Sequence, residues 1–365
     1  MMQIALHKFS TTSVKYEFKC RNVCNFTTRM LQELNEELDN FCKLQITEDE
    51  LEYLKTIPFF KDDFIDFLRL YKPNRNHINA RLEDGELKIE VKGAWYLTVP
   101  FEVPVLAMVN EIYFKNQVSQ NGTKRIYDKI QIANDSEFKF ADFGTRRRYS
   151  FDWQDSVIKV LKKEARGFIG TSNLYFAKKY NLKPIGTMAH EYICCGAGQE
   201  NVRLAKSQAF MLQAWVDEYR GDLGIALSDT YGFDAFLRDF DLYFAKLYDG
   251  LRHDSGDPFL WGLKAIKHYK KLGIDPLTKT LVFSDGLDME TCKKIYESFQ
   301  SQINVSFGIG TNLTNDFEGI TPLQIVMKIV QCNGNPVAKV SDSEGKGMCN
   351  DPEYIKYVKK VFQIK

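Results

Sequence analysis

The stretch Thr280–Asn312, TLVFSDGLDMETCKKIYESFQSQINVSFGIGTN, contains one whole unit of the fold and the opening of the next. Thr280-Leu281-Val282-Phe283 is a short apolar run that stops at Ser284-Asp285-Gly286, the pattern of a buried strand ending in a polar tip. In Glu290–Gln302, Cys292, Ile295, Tyr296 and Phe299 fall on one side of a 3.6-residue period, which predicts a helix with a single apolar face. Val305-Ser306-Phe307 then starts a second strand that ends in Gly308-Ile309-Gly310-Thr311-Asn312. Strand, polar tip and helix in alternation describe an α/β fold.

Outward from there the same unit recurs. Phe138–Phe140 runs into Asp142–Arg148, Gly167–Ile169 into Gly170–Asn173, and Pro184-Ile185 into Gly186–Glu191. Leu223–Leu227 runs into Ser228-Asp229-Thr230, and Leu251 opens the tip Arg252–Asp257 after a helical stretch at Phe233–Tyr248. Val337–Val340, followed by Ser341–Lys346, closes the series. About eight such units predict an α/β barrel over residues 137–350, with the loops after the strands meeting at one face. Their uneven spacing makes the barrel an irregular one; an open doubly wound sheet is the alternative.

The first third reads differently. Residues 27–72 repeat Met30, Leu31, Leu34, Leu38, Phe41 and Leu44 at helical steps, and Leu87–Lys92 alternates apolar and charged as a half-exposed strand does. Leu106–Phe114 reads as a further helix, and the polar Asn116–Lys124 as a loop or boundary. An amino-terminal α+β domain over 1–130 is expected, with a carboxy-terminal helix over 351–365.

Composition narrows the class. Hydrophobic residues at 44% and charged residues at 27% are ordinary globular values. A net charge of +1 offers no general attraction to nucleic acid. No run of eighteen apolar residues suggests a membrane span, and Met1–Lys8 lacks the pattern of a signal peptide. Eight cysteines in a chain of this length fit reduced thiols in the cytoplasm. Neither Cys20/Cys24 nor Cys194-Cys195 has a second Cys/His pair at zinc spacing, so no residue is assigned as a metal ligand.

The tips carry the chemistry. Gly308 and Gly310 let backbone N–H groups close on a phosphate, although a plain tight turn reads the same way. Arg252, Asp254 and Asp257 suit a sugar phosphate: the guanidinium takes oxyanions, and the carboxylates accept ribose hydroxyls or hold Mg²⁺. Asp285 repeats the carboxylate one unit later. Of Arg146-Arg147-Arg148, one can turn inward beside the Phe143 ring, a pairing that suits a flat aromatic carboxylate. His190 sits with Glu191 beside it, where an imidazole nucleophile can be oriented.

Taken in order, the segments DFGTRRR (142–148), GTSN (170–173), GTMAHE (186–191), RHDSGD (252–257) and FGIGTN (307–312) resemble the nicotinate phosphoribosyltransferase family, in its bacterial ATP-coupled branch. Cys332–Lys339 with Ser341-Asp342-Ser343 also looks like that branch. The resemblance implies a type II phosphoribosyltransferase-like barrel and a homodimer with shared active sites. It implies phosphoribosyl transfer from phosphoribosyl pyrophosphate to nicotinate, classed as a ligase reaction because it is coupled to ATP hydrolysis, and a requirement for Mg²⁺. By position His190 matches the histidine that ATP phosphorylates. Thr187 and Arg252 match nicotinate contacts, and Thr311, next to Gly310, a phosphoribosyl contact. Phe143 matches a ring-stacking aromatic, Arg146 an anion-binding arginine, and Asp254 and Asp285 ribose-binding carboxylates. Members of that family begin earlier, with a segment that supplies a stacking tyrosine to the partner subunit; this chain is expected to lack it.

Overall fold

The computed structural model describes residues 1–115, 122–343, 345 and 347–364. Two sheets organise it. The amino-terminal part contributes three strands, β1 (Ser13–Cys20), β2 (Ile78–Glu83) and β3 (Glu86–Ala94). Each alternates buried and exposed residues, with Val14, Tyr16, Phe18, Leu87, Ile89 and Val91 turned inward. The expected helices over 27–72 are Thr28–Phe41, Glu48–Lys55 and Asp62–Leu70. Thr47 starts the second by a reciprocal capping box with Glu50.

The helical stretch Trp95–Phe114 passes beneath this sheet. Its mean hydropathy of 1.2 over a membrane-length window and its 20 residues would also suit a membrane span. Here its buried Trp95, Phe101, Val105, Leu106, Val109, Ile112 and Phe114 are core residues of the protein. The first part of the proposed boundary, residues 116–121, lies outside the described residues; its end enters the helix Thr123–Ser136.

The second part brings β4 (Lys139–Asp142), β5 (Phe168–Thr171), β6 (Arg220–Leu223), β7 (Ile225–Leu227), β8 (Gly250–His253), β9 (Thr280–Phe283) and β10 (Asn304–Ile309). Six of them form one sheet in the order β5-β4-β10-β9-β8-β7, and every pairing within it is parallel. Among the described residues the ladder does not close into a ring, which is where the irregularity lies. An isolated bridge from Thr171 to Pro184 continues the edge at β5; Pro184 has no N–H to extend it.

Helices fill the connections, among them Phe151–Glu164, Pro258–Lys271 and Met289–Phe299. Asp257 and Asp288 cap the last two through Leu260 N–H and Thr291 N–H, both at 2.8 Å. Phe138, Phe283 and Phe307 pack ring to ring under the sheet, with centroids 5.3 and 5.9 Å from Phe307. Burying each ring contributes roughly 1.5–3 kcal/mol.

The chain then returns. β11 (Ile325–Cys332) and β12 (Asn335–Pro336) join the first sheet, whose order is β12-β11-β1-β3-β2. β11 lies antiparallel to β1, with Tyr16 opposite Ile329 and Phe18 opposite Met327. A strand within 137–350 is therefore built into the amino-terminal sheet. Val337–Val340 is not the eighth barrel strand of the sequence reading: Val337 N–H donates to Val330 O of β11 at 3.1 Å, and Lys339 makes an isolated bridge to Met348. The backbone there is used otherwise, Val340 N–H donating to Thr230 O at 2.9 Å. Pro352–Val361 forms the last helix.

Candidate active site

Because the six strands are parallel, their carboxyl ends share one edge, and the tips after them meet there. The tip after β4 is held from below by Asp142. This buried carboxylate accepts from Gly144 N–H at 2.8 Å, Gln154 Nε2 at 2.8 Å and Thr171 Oγ1 at 2.7 Å. Burial pushes its pKa up, against those three hydrogen bonds.

The three arginines diverge, although Thr145–Arg147 is a 3₁₀ turn and not the extended tip expected from the sequence. Arg146 pairs with Glu102 at 2.9 Å, Arg147 Nε donates to Ile325 O at 3.0 Å, and Arg148 lies over the Phe151 ring. Arg146 is the most open, and after Glu102 the charges of Asp254 and Glu191 also favour its cationic form. Phe143 sits against the tip of β10: its N–H donates to Ile309 O at 2.8 Å, and its ring covers Gly308. Gly308 is thus empty of a side chain for the ring's sake. Gly310 and Thr311 stand at the start of a single four-residue turn, Thr311–Thr314, too short to supply the helix dipole suggested by the sequence.

The centre is a charged cluster. His190 opens the helix His190–Gly196, and its Nε2 lies 2.8 Å from Asp229 Oδ1 and 3.6 Å from Asp254 Oδ2. Lys339 Nζ lies 3.1 Å from Asp229 Oδ2 and 3.9 Å from Asp254 Oδ2. Ser255 Oγ donates to Asp229 at 2.6 Å, and Ser284 Oγ to Asp254 at 3.0 Å. Burial opposes ionisation of Asp229, but His190 and Lys339 outweigh it and hold its pKa well below the usual carboxylate range. Asp254 is also held low, by Arg252 and His190 against burial.

Burial, more than these carboxylates, sets His190, whose pKa falls below its ordinary 6.5. The ring is then neutral near pH 7. An ionised Asp229 can only accept, so Nε2 carries the proton and Nδ1 the lone pair.

Beside this cluster Arg252 Nη1 donates to Thr187 Oγ1, joining the two residues matched to nicotinate. Asp285 stands one strand farther on, near enough for its charge to act on Arg21 and His253.

One reading of the tips needs correction. Glu191 does not orient His190: it is buried, close to Tyr16 and Glu102, and burial followed by the Glu102 charge raises it to about 8. Asp257 Oδ1 caps the helix Pro258–Lys271 through Leu260 N–H.

Four contributors escaped the sequence. Asp229 was legible as a tip residue but not as the partner of His190, 39 positions away. Lys339 was taken for a strand residue. Arg21 and Lys328 come from the first sheet, and burial with the charges of Lys339 and Arg21 lowers Lys328 to about 7. The Ser341-Asp342-Ser343 segment fastens this side: Asp342 N–H donates to Ser255 Oγ at 3.1 Å, and Gly256 N–H to Ser343 Oγ at 2.9 Å. Glu344 and Lys346 lie outside the described residues. A cleft of about 1120 Å³ opens next to Lys339, with Arg21, Asp342 and Cys20 in its wall.

Parallel strands with a histidine, two carboxylates and several cations at their carboxyl ends define an α/β enzyme acting on an anionic substrate. The chain belongs to the nicotinate phosphoribosyltransferase (NAPRTase) family, whose sequence model matches residues 138–365, while the NAPRTase N-terminal domain matches residues 1–110. It is 48% identical to nicotinate phosphoribosyltransferases of Cupriavidus necator and Ralstonia nicotianae, over 100% of this chain and 95% and 96% of theirs. The nicotinate phosphoribosyltransferase structure from Vibrio cholerae superposes with a TM-score of 0.95 at 36% identity, covering 100% of this chain and 91% of that one. The one from Porphyromonas gingivalis gives 0.94 at 31%, covering 100% and 98%.

Proposed function

We propose that this protein transfers phosphoribosyl from phosphoribosyl pyrophosphate to nicotinate, releasing nicotinate mononucleotide and pyrophosphate. We further propose that the transfer is coupled to ATP hydrolysis through phosphorylation of His190, as the first step of NAD salvage from nicotinate in the cytoplasm. The observation that carries this reading is the joining of Arg252 and Thr187 beside His190 at one sheet edge. Family membership supports the substrates, and the family's pattern supports a homodimer with shared sites.

In this reading Arg252 and Thr187 take the nicotinate carboxylate and Phe143 covers the pyridine ring. Asp254 and Asp285 accept ribose hydroxyls, Gly310 and Thr311 meet the phosphoribosyl phosphate, and Arg146 offsets negative charge at the mouth. The bond from the anomeric carbon to pyrophosphate breaks while the pyridine nitrogen forms its own, so positive charge develops on the ribose and negative charge on the leaving group. Asp254 and Asp285 stabilise the first; Arg21, Lys328 and Lys339 stabilise the second.

Mg²⁺ fits the donor set: Asp254, a carboxylate with its side chain 28% exposed, would hold it, whereas Asp229 is 1% exposed and engaged by Lys339. When bound with pyrophosphate it would neutralise charge on the leaving group. For the ATP step, Nδ1 of neutral His190 is the nucleophile and Asp229 steadies the ring through Nε2. The phosphate adds about −1.5 to −2 charges beside Lys339 and Arg252, which tightens the cationic side of the site.

The test measures nicotinate mononucleotide with and without ATP, alongside ATP consumed. The wild type should be stimulated by ATP, and His190→Ala should still form product, more weakly and without that stimulation. Stoichiometric ATP use by His190→Ala would overturn the assignment of His190. Nicotinamide should be a poor substrate, since it forfeits a charge-assisted hydrogen bond of about 1.5–3 kcal/mol.

A further inference from the structure

Cys20 and Cys24 lack the partners for a zinc site, yet the fold brings their sulfurs into direct contact, 3.0 Å apart. Cys20 is the last residue of β1, and Cys24 follows the turn Arg21-Asn22-Val23. The turn is anchored at three points. Arg21 N–H donates to Gln324 O at 3.1 Å, Asn22 Nδ2 to Pro322 O at 3.3 Å, and Gln324 N–H to Asn22 Oδ1 at 2.9 Å. The contact between the sulfurs is therefore imposed by β1 and the segment leading into β11. Both thiols are free, partly exposed and in the wall of the 1120 Å³ cleft, and Val23 between them is fully exposed. Cys194, Cys195, Cys292 and Cys332 are buried.

We propose that Cys20 and Cys24 form a reversible disulfide that locks the Arg21 turn at the rim of the cleft beside Lys339. The oxidant is a small-molecule disulfide of the glutathione type. The Cys20 thiolate attacks one of its sulfurs, forming a mixed disulfide and releasing one thiol. The Cys24 sulfur then attacks Cys20, releasing the second. Two protein thiols are oxidised and one external disulfide is reduced to two thiols. Burial and the adjacent sulfur raise the Cys24 thiol to about 12, which disfavours Cys24 as the first thiolate. Arg21 lies where its charge reaches Arg147 and Lys328, so fixing its turn fixes one of the cations assigned above to the leaving pyrophosphate. This consequence for turnover rests on the function proposed above.

The full chain is treated with oxidised glutathione, alkylated and mapped by mass spectrometry. A Cys20–Cys24 linked peptide is expected in the wild type, and glutathione retained on Cys20 in Cys24→Ser. In steady-state assays the oxidised wild type should show a several-fold higher KM for phosphoribosyl pyrophosphate, restored by dithiothreitol. The double variant Cys20→Ser, Cys24→Ser should not respond. A wild type that only accumulates glutathione adducts, or links Cys20 to Cys349, would refute the pair. A mapped Cys20–Cys24 link with unchanged KM would refute its effect on the cleft. If the chain forms no nicotinate mononucleotide at all, the proposed function fails, while the mapping still decides the bond.

Discussion

Asp229 holds the charge network together, since His190, Lys339 and Ser255 all address its two oxygens. Asp229→Asn removes the anion that fixes the His190 tautomer and pairs with Lys339. ATP-coupled turnover should fall by on the order of 10²-fold, within the range for losing a positioned acid–base partner. Stability should fall by roughly 3 kcal/mol, because buried Lys339 is left with only its longer contact to Asp254. Parallel ATP assays and denaturant melts measure the two, and wild-type ATP use by Asp229→Asn would count against the network. Glu191 gives a pH signature. In the unfolded chain it ionises near its ordinary 4.5, but in the folded chain only near 8. Its contribution to stability is complete below about 4.5 and is lost as pH rises to about 8. Glu191→Gln should flatten the fall in melting temperature across that window. An unchanged slope would show that Glu191 is not the group responsible. The sequence made the residue types at this site visible, His190 and the carboxylates included. It could not show which carboxylate faces His190, because adjacent residues at a helix start point in different directions.

Among the elements, the tips of β4 and β10 depend on each other. A Cβ at Gly308 would lie 2.5 Å from the Phe143 ring. Gly308→Ala should therefore displace Phe143, costing about 1–3 kcal/mol as overpacking and raising the KM for nicotinate more than that for phosphoribosyl pyrophosphate. Equal effects on both would point to the phosphate reading of this glycine instead. The strand-and-tip units were legible because each buried strand is a continuous apolar run that must end where polar backbone meets solvent. Val337–Val340 misled the sequence reading for the same reason: its residues are apolar because they are buried, Val337 and Ala338 fully. Yet the pairing they begin is with the first sheet, Val337 N–H donating to Val330 O of β11 at 3.1 Å. The backbone instead turns to place Lys339 under Asp229.

For the whole molecule, the return of β11 to the first sheet matters most. Both ends of the chain contribute to one sheet, through β1 to β3 and β11 with β12, and they share a hydrophobic core that includes Tyr16, Phe140, Phe307 and Met327. Unfolding should be a single cooperative transition by calorimetry and by tryptophan fluorescence alike; two separated transitions would mean that the sheets fold independently. Met327→Asp, which buries a charge in the shared core, should lower that one transition rather than split it. By itself the sequence determined the alternation of strands and helices, the apolar faces and the residue types at most strand ends, because periodicity and burial are local properties of the chain. Only the tertiary structure decided which tips touch, why Lys339 pairs with Asp229, and that Arg21 and Lys328 reach the site from the other sheet. Those contacts join residues far apart in sequence, and they depend on strand order and register, which no local pattern encodes.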